Sequence, residues 1–318
     1  MKADSSDVVD RAHLADPRDG TWTIHRYDVT PGHDGLDGLA ARHWVPVWSV
    51  PPGEESVQRV LQHPVANLVI ASGYARFYGV VTGLSTTTLR GDGWAVGVML
   101  APAGGYLLGG PMHRYTDRWV GVEEVLGERA GPLVAAVHAA MAQGPSSTAA
   151  HTAAVDAVDD VLRAYLPVDD EGHLVNRVVA YVEGSPDVTR VAQVCDAFAM
   201  SERSLQRLVH RRLGLTPRWL VQRRRLQEAA ELIRTGTTGT FADVAAALGY
   251  ADQAHLSRDV VRVTGMTPTA LATRFAKAAP TGRTDATARR PGSTGGTGGT
   301  ADPSPAGTGA NPTDGGPR

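Results

Sequence analysis

Between residues 190 and 265 the sequence spells one local pattern twice: an apolar-periodic helix, a tight turn, then a capped helix with a polar outer face. In the first copy a helical stretch at about residues 190–198 runs into the turn Ala199-Met200. Ser201 then stands where its hydroxyl can accept a hydrogen bond from a first-turn N–H of the next helix, SERSLQRLVHRRLG. Leu205, Leu208 and Val209 form that helix's inward stripe, which leaves Arg203, Gln206, Arg207 and His210 facing outward. In the second copy Val244, Ala245 and Leu248 supply the apolar face, Gly249 the turn and Asp252 the cap. The helix that follows turns Leu256 and Val260 inward and exposes Gln253, His255 and Arg258.

A helix fits the major groove of B-DNA, where Arg bonds bidentately to guanine and Gln to adenine. One polar helix face alone would read as a solvated surface; two of one type, with caps and turns at matching offsets, make the pattern specific. The segment between them, LTPRWLVQRRRLQEAAELIRTG, reads as a linker helix, with Thr216 as cap, Pro217 at the first helical position and Gly236 just past the end. Its roughly 18 residues span about 27 Å. Major-groove faces on one side of DNA lie about 34 Å apart, so the linker and the widths of its flanking units can hold two readers at one-turn spacing. A further helix at about residues 174–183 ends at the breaker Gly184-Ser185-Pro186.

Charge divides along the same line. Residues 1–174 carry 12 Lys and Arg against 21 Asp and Glu, while residues 175–277 carry 15 against 9, a split hidden in the net charge of -2. A basic domain gains affinity for a polyanion by releasing condensed counterions. Arg211 and Arg212, about a turn beyond Arg207, are expected to meet backbone phosphate.

These motifs, SERSLQRLV, GLTPRWLVQRRRLQEAAELI, ADVAAALGYADQAHLSRDV and GMTP, stand in an order and spacing that resembles the DNA-binding domain of the AraC/XylS family of bacterial transcription regulators. The resemblance covers about residues 175–277. It implies that Arg203, Gln206 and Arg207 occupy base-reading positions of the first unit, and Gln253, Ala254, His255 and Arg258 those of the second. Ala254 has no donor to offer, but its methyl can touch that of thymine. Three departures stand out. Ala199 replaces the family's usual Gly, so the turn is either not left-handed or strained by about 1 kcal/mol. Asp259-Val260-Val261 replaces an aromatic and basic stretch, and an acid beside phosphates would weaken the second unit. Cys195 falls where the family has a small buried residue and is expected to be structural.

The first half reads differently. TWTIHRYDV, RHWVPVWSV, ANLVIAS, ARFYGVVT and GWAVGVMLAP read as strands separated by the turn signals PGHDG, PPGEE and RGDG. Helical spacing takes over after Asp117 in VGVEEVLG, GPLVAAVHAAMAQ and HTAAVDAVDDVLRAYL, with Leu133, Val137 and Met141 forming one stripe and Val155, Val158 and Leu162 another. The stripes suit dimerisation or packing on their own domain equally. Trp22, Trp44, Trp48, Trp94 and Trp119 all lie here, as core packing or as the lining of a ligand pocket. The fold class is therefore α+β: a β-rich domain with helices, a cupin-like barrel or sandwich, over 21–168, then an all-α double helix-turn-helix domain over 174–277. Residues 1–20 are expected to be a flexible amino terminus. The Gly, Thr and Pro-rich segment from 278 to 318 cannot bury enough surface to offset its ordering entropy and is expected to be a disordered tail.

By its resemblance the β-rich domain is expected to sense a small molecule. His25, His33, His43, His63 and His113 show no close His-x-His pair with a following Glu, so neither a metal nor another cofactor is expected. Gly-x-Ser-x-Gly, His-Glu-x-x-His and Walker-type loops are absent, which disfavours the alternative of an enzyme-like barrel fused to a DNA-targeting module. A DNA-alkylation repair version would need an acceptor thiol, and Cys195, the only cysteine, belongs to a reader unit. A further alternative makes the first half a dimerisation module without ligand. The expected partner is double-stranded DNA, with RNA polymerase, a small-molecule effector and a second copy of the chain as further candidates. No apolar run approaches the roughly 20 residues that cross a bilayer, and MKADSSDVVD is no export signal, so the expected place is the cytoplasm, at the nucleoid.

Overall fold

The computed structural model describes residues 21–29, 35–236 and 239–278. The amino-terminal segment 1–20 and the tail beyond Ala278 lie outside the described residues. In chain order come β1 (Thr21–Asp28), β2 (Ala40–Ser49), β3 (Ser56–Val60), β4 (Asn67–Ala71), β5 (Tyr74–Tyr78), β6 (Ser85–Leu89), β7 (Asp92–Leu100), α1 (Gly104–Gly109), β8 (Trp119–Gly121), α2 (Val122–Leu126), α3 (Ala130–Met141) and α4 (Thr148–Arg163). The all-α part follows as α5 (Asp170–Gly184), α6 (Val191–Ala197), α7 (Glu202–Leu213), α8 (Pro217–Thr235), α9 (Phe241–Ala247), α10 (Gln253–Thr264) and α11 (Pro268–Ala278).

Six strands form an antiparallel sheet in the order β1-β2-β7-β4-β5-β8, and β3 pairs with β6 in a separate ribbon. The sheet stays open, with β1 and β8 at its edges. Successive side chains of a strand point to opposite faces, and β2 shows the consequence. His43 and Val45 are buried on one face, while Trp44 and Trp48 pack on the other around Val69, Ala71 and Ala95. On the first face Val45, Val96 and Val98 share a core with Leu133, Val137 and Met141 of α3 and Val155, Val158 and Leu162 of α4. Both helical stripes are thus used up inside the chain, so a dimer built on them is not available to this fold. Across the same interface His43 Nε2 lies 2.8 Å from Asp159 Oδ1, and the Tyr27 hydroxyl is 2.7 Å from His151 Nδ1.

The main core continues from these strands through Val175 and Val179 of α5 to Leu205, Leu208 and Val209 of α7 and Val221 of α8. The second candidate reader has its own cluster, built on Leu226, Ile233, Val244, Leu256, Val260 and Leu271. No helix among the described residues is long and apolar enough to cross a membrane.

The tryptophans divide between the two readings. Trp94 is core, Trp119 is 50% exposed on β8, and Trp22, Trp44 and Trp48 line a cleft of about 210 Å³ between the sheet and the β3–β6 ribbon. The Trp44 ring lies over Gly97, where a Cβ would fall within the indole. Gly97→Val should therefore lower stability by about 1–3 kcal/mol through overpacking and shift the tryptophan emission. Thermal unfolding followed by fluorescence checks this, and an unchanged midpoint would show that the ring can move off the sheet.

Candidate nucleic-acid interface

Both candidate recognition helices are built as their caps require. Ser201 Oγ accepts from the Ser204 N–H at 3.2 Å to start α7, and Gly214 ends it in the left-handed region at φ 72°. Asp252 Oδ1 accepts from the His255 N–H at 2.6 Å to start α10, and Gly265 ends it at φ 69°. In α7 the side chains of Arg203, Gln206, Arg207 and His210 are exposed. In α10 Gln253, Ala254 and Arg258 are exposed, while His255 is half-buried with its ring edge-on to Tyr250 at 5.2 Å. The two turns differ in one respect. Gly249 takes φ 68° in the second, and Ala199 takes φ 50° in the first, so the first turn is left-handed and carries a Cβ there.

Arg212 does not stand where the sequence placed it. Arg212 is 2% exposed, donates from Nη1 to Asp169 Oδ1 at 2.9 Å and from Nε to Glu171 Oε2 at 3.1 Å, and its guanidinium lies 4.1 Å from the Tyr106 ring centre. It faces the interior, so a phosphate contact from this side chain is withdrawn. Arg211 is half-buried and also paired with Glu171. Asp169 is itself the cap of α5, accepting from the Gly172 N–H at 3.0 Å, and its hydrogen bond from Arg212 holds its carboxyl below the usual range. The acidic run Asp169-Asp170-Glu171 was the available signal for this docking. The last turn of α7 also rests on residues 112–116: the His210 ring stacks on His113 at 4.8 Å, and the Thr116 hydroxyl donates to the Gly214 carbonyl at 2.9 Å. The end of α7 is therefore held, and its first two turns are open.

Asp259 needs a similar correction. It is 7% exposed and paired with Arg262 at 2.9 Å, so it turns inward on α10 and is not the surface acid that would repel phosphate.

Between the readers, three consecutive arginines of α8 grip three different parts of the molecule. Arg223 donates to the Gln62 carbonyl of the β-rich domain from Nε at 3.0 Å and Nη2 at 2.9 Å, and burial pulls its pKa down to about 10. Arg224 donates to the carbonyls of Pro186 at 2.9 Å and Val188 at 3.0 Å, at the foot of the first unit, and pairs with Glu228. Arg225 donates to the Leu248 carbonyl of the second unit at 2.8 Å and lies 3.9 Å from the centre of the Tyr250 ring. All three are buried, so they are clamps and not part of a basic surface. Cys195 is half-buried in α6, and burial first, then Glu202 and Asp196, push its thiol pKa up, which leaves it a poor nucleophile.

Residues 194–274 match the family described as helix-turn-helix domain, and residues 29–121 match a domain of unknown function (DUF6597). No curated protein matches the chain. Among solved structures the chain is similar to ToxT from Vibrio cholerae O395, at 13% identity and a TM-score of 0.35, over 82% of this chain and 99% of that one. The same protein bound to (E)-4-(8-methylnaphthalen-1-yl)but-3-enoic acid is similar at 13% identity and a TM-score of 0.37, over 81% and 100%. Wild-type ToxT from strain SCE256 bound to an unsaturated fatty acid is similar at 13% identity and a TM-score of 0.34, over 81% and 97%.

Ala199→Gly should raise stability by about 0.5–1 kcal/mol, because it removes the left-handed penalty at φ 50°; a lower unfolding midpoint would contradict this. Because the folded pKa of Asp169 is depressed, its pairing contributes above the unfolded pKa and is lost as pH falls through the folded one. Asp169→Asn should therefore flatten the loss of stability below about pH 4, as measured by urea unfolding across pH, and an unchanged acid limb would rule the pairing out.

Proposed function

We propose that the chain, whose residues 194–274 match a helix-turn-helix family model, is a transcription regulator of the AraC/XylS type that reads two adjacent major grooves of duplex DNA with α7 and α10, under control of a signal received by its β-rich half. The observation that carries this reading is the exposed face at the start of both helices, polar but for one methyl: Arg203, Gln206 and Arg207 on one, Gln253, Ala254 and Arg258 on the other, with His255 at the edge. The amino-terminal end of a recognition helix is the end that meets base edges. The linker supports it too, since α8 has 19 residues and spans about 28 Å at 1.5 Å per residue.

Control from the β-rich half is supported by the contacts that tie it to the readers. The last turn of α7 rests on residues 112–116, and Arg223 holds the Gln62 carbonyl. A change in the β-rich half reaches both readers through these contacts.

Selection of binding sites from random duplexes tests the reading: the bound pool should converge on two boxes about one helical turn, roughly 10 bp, apart. A pool with no enrichment, or with a single box, would overturn it. On the selected site Arg207→Ala should cost about 1–3 kcal/mol and far less on random DNA, because a base contact is lost. Arg212→Ala should instead lower thermal stability and leave the salt dependence of binding unchanged. If Arg207→Ala weakens specific and random binding by one factor, α7 contacts only the backbone.

A further inference from the structure

The cleft between the sheet and the ribbon is an aromatic slot. Trp22, Trp44, Trp48, Tyr74 and Tyr78 line its walls, with Val69 and Ala95 among them and Met99 nearby. The Trp44 and Trp48 rings lie on the sheet because Gly97 and Gly93 beneath them have no side chain. Five aromatic rings would suit a cation as well as a flat apolar molecule. The polar side chains decide between these: Arg26, Arg42 and His63 bring hydrogen-bond donors to the slot and among the described residues no Asp or Glu lines it, while Asp28, which pairs with Arg42, and Glu183, 3.6 Å from His63, lie outside the lining.

The ribbon has a second set of contacts at one end. Strand alternation puts neighbouring side chains on opposite faces, and here the two faces serve different parts of the protein. Val60, Gln62 and Ser85 line the slot. Leu61, fully buried, belongs to the core of the second reader with Leu226, Ile233 and Val244, and Leu84 packs against that core. Val60 pairs with Ser85 in the ribbon, so Leu61 and Leu84 leave it side by side. The Gln62 carbonyl is the one that Arg223 holds. Those bonds go to main chain only, so they depend on where this segment lies and not on which side chain it carries.

We propose that the slot binds a planar aromatic ligand bearing acceptor groups or negative charge, and that the β3–β6 ribbon relays its occupancy to the second reader unit. The proposal rests on the reading of the chain as a two-reader DNA-binding regulator. A ligand filling the slot presses on Val60, Gln62 and Ser85, and the same displacement moves Leu61, Leu84 and the Gln62 carbonyl against α8 and the second core.

The test uses the full chain, with indole-3-acetate as the planar anion and tryptamine as a cation of like shape. By calorimetry indole-3-acetate should bind about tenfold or more tightly than tryptamine. Thr87→Trp, which fills the slot from an exposed position of the ribbon, should abolish binding. Saturating indole-3-acetate should change affinity for the selected duplex roughly fivefold or more, and should have no effect on a duplex whose second box is scrambled. Leu61→Ala should retain indole-3-acetate binding and lose the change in DNA affinity. Absence of binding, equal binding of tryptamine, or binding that survives Thr87→Trp would overturn the ligand assignment. An unchanged DNA effect in Leu61→Ala, or an equal effect on the scrambled duplex, would overturn the relay. Affinity of the unliganded chain for the selected duplex, read in the same titrations, reports separately on DNA reading itself.

Discussion

Much of this structure depends on how three adjacent guanidinium groups can be buried in one helix. Side chains at successive helical positions point about 100° apart, so Arg223, Arg224 and Arg225 cannot serve one partner. They reach instead to the β-rich domain, the first reader and the second reader. Taking a charge out of water costs several kcal/mol unless acceptors replace the lost solvent. Each of these side chains finds main-chain carbonyls that loop and turn geometry leaves unused: Gln62, Pro186 with Val188, and Leu248. The helix thereby fixes the relation of three units, and a shift in any of those loops leaves a buried cation short of acceptors. Such a joint has little reserve, since among the described residues Arg223 Nη1, Arg224 Nε and Arg225 Nη2 are buried and already without a hydrogen-bond partner.

The caps and turns of the reader segment were legible because each is a local matter. Ser201, Thr216 and Asp252 cap α7, α8 and α10 through bonds to N–H groups three residues on, and such bonds need nothing from the rest of the chain. Two side chains of the candidate interface were misplaced for one reason. Arg212 follows Leu205, Leu208 and Val209 at helical spacing, and Asp259 stands three residues after Leu256 and next to Val260; in both helices the phase of the stripe already pointed inward. In both helices phase outranks charge. What could not be seen locally was the partner: Asp169 and Glu171 are about forty residues from Arg212, and they make its burial tolerable.

The β-rich half was legible where apolar and polar residues alternate, as in β2 and β7, and not where they do not. SVQRV and STTTL form the ribbon, yet neither has the apolar face that marks a strand half-buried in a core. Their exposure to the cleft on one side explains the polar composition. The tryptophans were ambiguous for a related reason. An indole that lies flat on a sheet needs a glycine below it on the neighbouring strand, and the pairing of Trp44 with Gly97 and Trp48 with Gly93 appears only once β2 and β7 are in register.

Burial redistributes the charge that the sequence carries. Residues 175–277 hold 15 basic and 9 acidic side chains, but Arg212, Arg223, Arg224 and Arg225 are buried, as is Asp259. Burial takes more basic than acidic side chains from the surface, so counterion release can supply less of the affinity than the sequence total implies. On the proposed reading, more of the discrimination then falls to the few exposed side chains at the starts of α7 and α10, acting through base edges in the major groove. It also gives the clamps a consequence beyond stability. With less non-specific attraction to hold either helix in place, the spacing set by α8 would on that reading decide whether both can be seated together, so a small shift at the Arg223 joint would weigh more than in a more strongly basic domain.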